Sequence, residues 1–452
     1  MRIAFYTLGC KLNFAESSSL ATQAAERGHN VVEFQDKADI YVINTCTVTA
    51  QAEKKCRQTI SRAARFGGKV VVMGCFSQLR PDTVKQIEGV SYVFGTADRE
   101  RLFDILDEPV ANSGIRASVA SAEVVAARPA AITDITANAD CSNSDTTSTV
   151  AHFTPLYSTT GRTRAFFKIQ DGCNNFCAYC AVPYARGRSR SASIARTVEV
   201  AKQIANDGIK EVIFTGVNIG DFGRSNSATG NNRETLAQLI RALLPIEGIE
   251  RYRISSIEPD LLTEEIIELA AKEKKIMPHF HIPLQSGSNT ILQDMKRHYK
   301  RELFAEKVHS IKGKIPHAFI AADIIVGFPT ETNELFEETY QFLNDLPISA
   351  LHVFTYSPRP EAASFKISSL NTPKERKQRS DKLLALSNKK KEEFYLKFVG
   401  QGMSVLWEGD NNKHSEFMQG YTENYLRVKM PYNRDKINTI ENINITKLNI
   451  FI

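Results

Sequence analysis

Three cysteines at the spacing C-x3-C-x2-C are the residues of this chain with the clearest capacity for chemistry. Cys173, Cys177 and Cys180 lie in the stretch DGCNNFCAYC at 171–180. Thiolate is the soft ligand that iron–sulfur clusters require. Three thiolates this close in sequence can hold three irons of a cubane cluster and leave the fourth iron without a protein ligand. An open iron of this kind can bind a substrate or cofactor and pass it an electron.

Two other interpretations of these thiols stay open. One is a zinc site that lacks a ligand, and the other is a chance group of cysteines. Zinc usually takes four ligands in two separated pairs, which this stretch does not provide. The spacing therefore favours an iron–sulfur cluster.

A second set of three thiols is predicted by the strand pattern of the first hundred residues. Apolar runs of strand length alternate there with helical patterns, which indicates a parallel sheet. The runs lie at 2–9, 38–45, 69–74 and 90–95, and the first three lead into Cys10, Cys46 and Cys75. Because the carboxyl ends of parallel strands meet at one edge, where α/β folds bind ligands, these thiols should converge. The alternative is that each is an ordinary buried cysteine.

Composition sets the broad class of the protein. The chain has 452 residues, 42% hydrophobic and 24% charged, which is typical of a globular protein of two or three domains. No apolar run of about 18 residues occurs, so no membrane helix is expected, and the first residues do not resemble a secretory signal. Eight cysteines in a chain of this length indicate a reducing compartment, which predicts a cytoplasmic location.

Two basic blocks stand out against a modest net charge of +6. Residues 161–190 carry six Arg or Lys against one Asp, and residues 373–397 carry nine against four acidic residues. A solvated helix face is the better explanation of the second block. A basic block around the cysteine stretch favours a polyanionic substrate.

The middle of the chain predicts a partial barrel of six β/α units. Candidate strands lie at 163–170, 211–216, 251–256, 278–284, 318–327 and 349–356, with helical patterns between them. The cysteine stretch follows the first strand, at the carboxyl end where barrel active sites lie. The preceding segment, 111–160, is rich in Ala, Ser and Thr and is predicted to be a linker; Cys141, within it, and Cys56 are assigned no chemical role.

Further ligand-binding candidates follow three of these strands. They are Gly216 and Asn218, Gln285 and Ser286, and Gly327 and Pro329. Glycine allows a ligand close approach to the backbone, although ordinary turn formation explains the same residues. The last segment, 401–452, predicts a small antiparallel β-barrel with balanced charge, for which a purely structural cap is an alternative.

With Tyr179 before its last cysteine, the stretch 171–180 resembles the signature of radical S-adenosylmethionine (radical SAM) enzymes. The resemblance implies that the three cysteines hold a [4Fe–4S] cluster. It implies that the open iron binds the amino and carboxylate groups of SAM, with the aromatic residue near the adenine.

The whole chain is similar to the methylthiotransferase family of these enzymes. The matching stretches are TLGCKLNFAES (7–17), INTCTVT (43–49), VMGCFSQ (72–78), DGCNNFCAYCAVPYARGRSRS (171–191), HIPLQSGSNTILQDMKRHY (281–299), DIIVGFPTET (323–332) and GYTENYLRV (420–428). The resemblance implies an N-terminal domain at 1–110 with a second [4Fe–4S] cluster on Cys10, Cys46 and Cys75. It implies the linker at 111–160, a radical SAM core at 161–398 and an RNA-binding TRAM-like domain at 399–452.

The stretches GVNIGDFG (216–223) and LHVFTYSPRP (351–360) resemble the branch that acts on tRNA. That branch methylthiolates C2 of N6-threonylcarbamoyladenosine at position 37 of the anticodon loop. The resemblance implies two SAM-dependent roles, a 5′-deoxyadenosyl radical and a methyl group, with sulfur from the N-terminal cluster. It also implies an electron donor of the flavodoxin or ferredoxin kind and a sulfur supply. Isopentenyladenosine in tRNA and a ribosomal-protein aspartate are alternative substrates, and an RNA-binding iron–sulfur protein with a structural or sensing cluster is an alternative of another class.

Substrate contacts are predicted at two places. Arg186, Arg188 and Arg190 alternate just after the cysteine stretch and are candidates for phosphate contacts. Asn218, Asp221 and Tyr356 are candidates for recognising the side chain of the modified adenosine, because they follow strands and lie in the branch-like stretches.

Overall fold

The computed structural model describes residues 1–106, 153–158, 163–224, 234–409 and 416–451. Most of the predicted linker, with Cys141, lies outside the described residues. The chain divides into an N-terminal unit, Met1–Thr154 with Ala181–Arg188, and a central unit, Pro155–Cys180 with Ser189–Ile452. In the described parts of both units, no helix is at once long enough and apolar enough to cross a membrane.

The N-terminal unit contains the predicted parallel sheet, with the strand order β2-β1-β3-β4-β5. Its strands are β1 (Arg2–Thr7), β2 (Asn30–Val32), β3 (Ile40–Thr45), β4 (Lys69–Gly74) and β5 (Val90–Val93). Its helices are α1 (Lys11–Glu26), α2 (Ala50–Ala64), α3 (Cys75–Leu79), α4 (Pro81–Lys85), α5 (Leu102–Leu106) and α6 (Val182–Arg186). The prediction of a parallel sheet is confirmed. Strand β2 is not among the predicted strands, because its three largely exposed residues do not form an apolar run of strand length.

The continuous apolar runs arise because this sheet is covered on both faces. Along β3, Tyr41 and Ile43 pack into one apolar core, while Ile40 and Val42 pack into another. Successive side chains of a strand point to opposite faces, so a strand buried on both sides has no polar alternation.

The central unit carries the six predicted strands as two parallel sheets. The strands of this unit before the tail are β6 (Leu156–Tyr157), β7 (Arg164–Lys168), β8 (Gln170–Asp171), β9 (Arg190–Ser191), β10 (Glu211–Thr215), β11 (Arg251–Arg253), β12 (His279–Gln285), β13 (Phe319–Val326) and β14 (Ala350–Thr355). The sheets have the orders β11-β10-β7-β6 and β12-β13-β14, and bridges at Tyr252–Ile276 and Ser256–His281 connect them. Strand β6 pairs antiparallel with β7, so the end of the segment predicted as a linker adds a strand to this unit.

Seven helices accompany these strands and bury one of their faces. They are α7 (Ile194–Asn206), α8 (Leu236–Leu243), α9 (Glu264–Lys272), α10 (Asn289–Asp294), α11 (Arg301–Lys314), α12 (Asn333–Asp345) and α13 (Pro373–Leu396). Alternate residues of each strand, such as Ile282, Ile324 and Val353, face the helices. The intervening residues face the other way. His281, Asp323 and His352 are polar members of this face, whereas Phe319, Ala321 and Ala350 lie in a second apolar core. Period-two alternation thus separates the helix-covered core from a strand face that is polar in part.

The C-terminal tail forms an antiparallel sheet, as predicted, with the order β17-β16-β15-β18. Its strands are β15 (Gly402–Glu408), β16 (Phe417–Thr422), β17 (Arg427–Pro431) and β18 (Ile440–Asn444). The stretch 420–428 forms a hairpin between β16 and β17, with Tyr425 at a left-handed φ of 69° in the turn. Trp407 of this tail shares an apolar core with Phe319 of β13 and Phe394 of α13. The tail therefore packs as part of the central unit.

Candidate functional site

The three N-terminal thiols lie at the ends of three adjacent strands. Cys10 is the residue before α1, three positions after the end of β1, and Cys46 directly follows β3; Cys75 follows β4 as the first residue of α3. Strands β1, β3 and β4 are neighbours in the sheet, so their carboxyl ends align. The charges of Cys10 and Cys75 both act on Cys46, which places the three sulfurs in one environment.

Tight packing holds these strand ends together. Gly9 has a φ of 109°, and a Cβ there would lie 2.8 Å from the Cβ of Cys46, so only glycine fits between the two cysteine loops. Cys56, on α2, accepts a hydrogen bond from the backbone N of Cys46 and donates one to its carbonyl, both at 3.4 Å. Cys56 thereby fixes the backbone of Cys46, a positioning role that its helical context did not reveal.

A buried ion pair lies beside these thiols. Glu16 of α1 accepts hydrogen bonds from both terminal nitrogens of Arg186, at 2.9 and 3.3 Å, and Arg99 lies 2.9 Å from it. Burial raises the pKa of Cys75, and the positive charges of Arg186 and Arg99 oppose that rise. Burial also raises the pKa of Cys46 to about 12. Arginine beside the thiols therefore favours the thiolate form that a metal needs.

The second triplet lies in a loop that follows β8 of the central unit. The backbone of Ala178 ties this loop down, because its N donates to the carbonyl of Met295 at 2.9 Å and its carbonyl accepts from Ser364 at 2.8 Å. Cys173 and Cys177 are buried, and Cys180 is partly exposed. Burial raises the pKa of Cys173 to about 12, so these thiols also need a cation to ionise.

The chemistry of the donors tests which metal group each triplet fits. Among the described residues, the group of three His, Cys, Asp or Glu ligand atoms within 4.8 Å of one another is His281, Asp323 and His352, and it includes no cysteine. Each triplet supplies three thiols, the soft donors that iron–sulfur clusters require, whereas a structural zinc site would need a fourth ligand. The donor set therefore fits a cluster that leaves one iron open.

Arg297 contacts the cysteine loop directly, and sequence reasoning did not identify it. Its Nη1 donates to the sulfur of Cys177 at 3.1 Å, and its Nη2 lies 2.8 Å from Oε1 of Glu258. Glu258 in turn accepts a hydrogen bond from the side chain of Asn175 at 3.0 Å, and the backbone N of Asn175 donates to the sulfur of Cys173 at 3.3 Å. Arg297 lies inside the quoted stretch 281–299, but nothing in that stretch indicates which side chain reaches the cysteines.

Asn218 has the strongest structural support among the predicted ligand-binding residues. Its backbone N, like that of Val217, donates to Oε1 of Gln170 at 2.9 Å, which fixes the loop after β10. Its side chain is buried, yet neither amide atom has a hydrogen-bond partner among the described residues. Buried polar groups are normally paired, so the amide of Asn218 is available to a partner other than the described side chains. Gly216 precedes it, where a Cβ would lie 2.8 Å from Oε1 of Gln170.

Gln285 is held in an unusual backbone conformation. Its φ of 72° is rare for a residue with a side chain, and strain of this kind concentrates at functional sites. The neighbouring Ser286 shares a hydrogen bond of 3.1 Å with Thr339, which is the behaviour of a structural turn.

The loop after β13 contains the last pair of predicted cofactor-binding residues. Gly327 has a φ of 72°, and its N donates to Glu331 at 2.8 Å. The carbonyl of Pro329 accepts from Leu370 at 2.9 Å. These backbone bonds shape the loop.

The residues predicted to recognise the substrate differ in their surroundings. Tyr356 is buried, shares a hydrogen bond of 3.0 Å with Ser364 and packs in one apolar cluster with Ala178 and Tyr179. Tyr356 thus lies against the cysteine loop. Asp221 lies 3.6 Å from Arg224, and burial raises its pKa.

The three arginines after the cysteine stretch differ in burial and in their partners. Arg186 is buried in the ion pair with Glu16. Arg186 could reach a phosphate only if that pair were broken, so it is not among the proposed RNA contacts. Arg190 is partly buried and pairs with Asp171 at 2.9 Å. Arg188 is exposed. Alternation in sequence did not reveal that the chain crosses between units at this point.

A polar triad lies on the strand face away from the helices. Oδ1 of Asp323 is 2.6 Å from Nε2 of His281 and 3.1 Å from Nδ1 of His352. Burial alone would raise the pKa of Asp323, but the hydrogen bonds from the two histidines outweigh it and lower the pKa to about 2. The carboxylate therefore fixes the orientation of both rings.

Two family models match the sequence. The one described as uncharacterized protein family UPF0004 matches residues 2–95, which contain Cys10, Cys46 and Cys75. The radical SAM superfamily model matches residues 167–343, which contain Cys173, Cys177 and Cys180.

Curated relatives match over nearly the whole chain. The chain is 35% identical to threonylcarbamoyladenosine tRNA methylthiotransferase MtaB of Bacillus subtilis (strain 168), over 98% of this chain and 94% of the relative. It is 37% identical to the protein of the same name from Aquifex aeolicus (strain VF5), over 95% and 96%. It is 31% identical to tRNA-2-methylthio-N(6)-dimethylallyladenosine synthase of Alkaliphilus oremlandii (strain OhILAs), over 98% and 90%.

Among solved structures, the fold is similar to the radical S-adenosylmethionine methyltransferase TsrM from Kitasatospora setae, with its tryptophan substrate and a SAM analog bound. The TM-score is 0.56 at 15% identity, over 80% of this chain and 75% of that chain. At this identity the likeness concerns the fold alone.

Proposed function

Since the chain belongs to the tRNA methylthiotransferase family of radical SAM enzymes, we propose that it methylthiolates C2 of N6-threonylcarbamoyladenosine at position 37 of tRNA. The choice of substrate rests on sequence identity to the curated relatives. Four of the compared relatives are named for threonylcarbamoyladenosine, at 30% to 37% identity, and two of them reach 35% and 37%, whereas the relatives named for dimethylallyladenosine reach 32% at most among those compared. Dimethylallyladenosine is therefore the competing substrate in the test below.

The cofactors are S-adenosylmethionine and two [4Fe–4S] clusters. We assign one cluster to Cys173, Cys177 and Cys180 of the central unit, and the other to Cys10, Cys46 and Cys75 of the N-terminal unit. The donor set of three thiols in each triplet and the arginines beside Cys177 and Cys75 support this assignment. When bound, these groups supply the one-electron and sulfur-transfer chemistry that an adenine C–H bond demands, since no side-chain base can usefully deprotonate that carbon near neutral pH.

The protein's own residues then bind the cofactor and the substrate and orient them. We propose that the orphaned amide of Asn218 hydrogen-bonds S-adenosylmethionine or the modified adenosine, and that Tyr179 lies along the adenine. We propose the strained loop at Gln285 and the turn at Gly327 as further contacts to the cofactor, through their backbone. Asp221 and Tyr356 are assigned to the side chain of the modified base.

The tail is the proposed RNA-binding element. Phe417 and Tyr432 are each 45% exposed, and the amine of Lys429 lies 5.4 Å from the ring centre of Phe417. Exposed rings beside a cation suit unpaired bases, which stack on aromatic side chains next to phosphate contacts. With an RNA substrate, we place the enzyme in the cytoplasm, supplied by a flavodoxin- or ferredoxin-like electron donor and by a sulfur-delivery system.

The test compares three tRNA substrates with the reconstituted enzyme under anaerobic conditions. The substrates carry threonylcarbamoyl, dimethylallyl or no group on the target adenosine. We expect nucleoside mass spectrometry to detect a methylthio product from the first substrate only. Preference for the dimethylallyl substrate would refute the choice of substrate and leave the family intact.

Two variants serve as controls for this assay. Replacing Cys173, Cys177 and Cys180 together with Ala should abolish product formation. Cys141→Ala, a cysteine with no assigned role, should leave it unchanged.

A further inference from the structure

We propose that Arg297 sets the reduction potential of the cluster held by Cys173, Cys177 and Cys180, and that Glu258 opposes it. This inference rests on the proposed ligand set. It concerns two residues outside that set, and it predicts shifts of opposite sign for the two.

The contact between Arg297 and the ligand set is direct and buried. Nη1 of Arg297 donates to the sulfur of Cys177 at 3.1 Å, and only 2% of the arginine side chain is exposed. Its Nε donates to the hydroxyl of Tyr299 at 3.2 Å, which fixes the plane of the guanidinium. Lys296, the preceding residue, has a left-handed φ of 56°, a strained turn that the chain maintains next to Arg297. The guanidinium is thus held against one sulfur in a defined orientation.

The sign of the effect follows from electrostatics. Reduction by one electron from an external donor adds one negative charge to the cluster and its thiolates. A buried guanidinium beside a ligand sulfur stabilises the reduced form more than the oxidised form, and hydrogen bonds to sulfur act in the same direction. The carboxylate of Glu258, 2.8 Å from the guanidinium, partly cancels this positive charge. Arg297 should therefore raise the potential and Glu258 should lower it.

A purely structural role of Arg297 predicts a different result. If Arg297 only neutralised Glu258, removing either partner would disturb packing without any ordered change in the potential. Opposite shifts for the two partners therefore separate electrostatic tuning from loss of structure. Arg297→Lys separates the effect of the charge from that of the hydrogen-bond geometry, because lysine keeps the positive charge and lacks the planar set of N–H donors.

The experiment uses the full-length chain with Cys10, Cys46 and Cys75 replaced by Ala, so that one cluster is observed. In this background, midpoint potentials are measured by redox titration followed by electron paramagnetic resonance. For Arg297→Met we expect the equilibrium constant for reduction to fall about tenfold or more, a shift of about 59 mV to more negative potential. Glu258→Gln should shift the potential the other way, and Arg297→Lys should give an intermediate value. Arg241→Met removes an exposed arginine that pairs with Glu265, and it should change nothing.

A spectroscopic measurement supports the titration. The exchangeable proton on the N–H···S contact should give a hyperfine coupling that is absent in Arg297→Met. If Arg297→Met holds no iron, Glu258→Gln and Arg297→Lys still decide the question.

The outcomes distinguish this inference from the ligand assignment. If the background protein binds no cluster, the assigned cysteines are wrong. If it binds about four irons but Glu258→Gln and Arg297→Lys leave the potential unchanged, the tuning role is refuted and the ligand assignment stands.

Discussion

Replacing Glu211 with Gln should destabilise the central unit more than any exposed charge substitution. Glu211 begins β10 and is paired in register with Arg164 of β7 and Arg251 of β11. Arg253 donates to both of its carboxylate oxygens, at 2.9 and 3.1 Å, and Glu211 is fully buried. The substitution leaves three buried guanidinium groups without this counter-charge.

The magnitude can be worked out in two ways. Burial alone would raise the pKa of Glu211, but Arg253, Arg164 and Arg251 outweigh it and lower the pKa from 4.5 to about 2. A shift of this size corresponds to about 3 kcal/mol of stability. Removing one partner of a buried ion pair typically costs about 3–5 kcal/mol. The two figures agree, so we expect a loss of about 3 kcal/mol.

The single tryptophan provides the assay. Trp407 is buried in the core that the tail shares with β13 and α13, so its fluorescence reports unfolding of this part of the unit. Arg251 and Arg253 also donate to the carbonyls of Tyr421 and Glu423 in the tail, which couples the network to that core. With a urea dependence of about 3 kcal/mol per molar, the midpoint should fall by about 1 M.

An exposed glutamate is the matched control. Glu265 pairs with Arg241 at the surface, so Glu265→Gln should change stability by less than about 0.5 kcal/mol. If Glu211→Gln unfolds at the same urea concentration as Glu265→Gln, the buried network does not stabilise this unit, and the reasoning above fails.

Three further predictions concern pH, iron content and RNA. The pKa of Glu211 is lower in the folded state than in the unfolded state. The stability that its carboxylate contributes is therefore complete above pH of about 4.5 and is lost as the pH falls towards about 2. Trp407 fluorescence should show this loss of stability in the natural chain and not in Glu211→Gln. The variant with Cys173, Cys177 and Cys180 replaced by Ala should retain about four irons by colorimetric assay, and a protein with no iron would exclude an independent N-terminal site. Phe417→Ala with Tyr432→Ala should weaken tRNA binding by about 1–3 kcal/mol per stacked base in a filter-binding titration, and unchanged affinity would exclude stacking on these rings. Deleting the tail is not an equivalent test, because it would expose the core around Trp407 and the arginines that face it.

The sequence by itself determined the elements and the two sets of thiols. Continuous apolar runs predicted the parallel strands, and parallel strands align their carboxyl ends, so Cys10, Cys46 and Cys75 could be brought together without a structure. The spacing of Cys173, Cys177 and Cys180 was equally local, since all three lie on one loop. The first deduction needs only the period of a strand and the direction of its neighbours, and the second needs only the spacing of three cysteines along the chain.

Only the tertiary structure decided which charged side chains lie beside these thiols. Arg297 reaches Cys177 across 120 positions of sequence, and Arg186 reaches Glu16 across 170. Neither contact has a local signature, because a basic residue in a loop has the same sequence pattern whether it faces phosphate or a buried carboxylate. The charge of Arg186 and its position just after the cysteine stretch therefore predict a phosphate contact. Its side chain is instead buried, where an arginine is stable only because Glu16 compensates its charge.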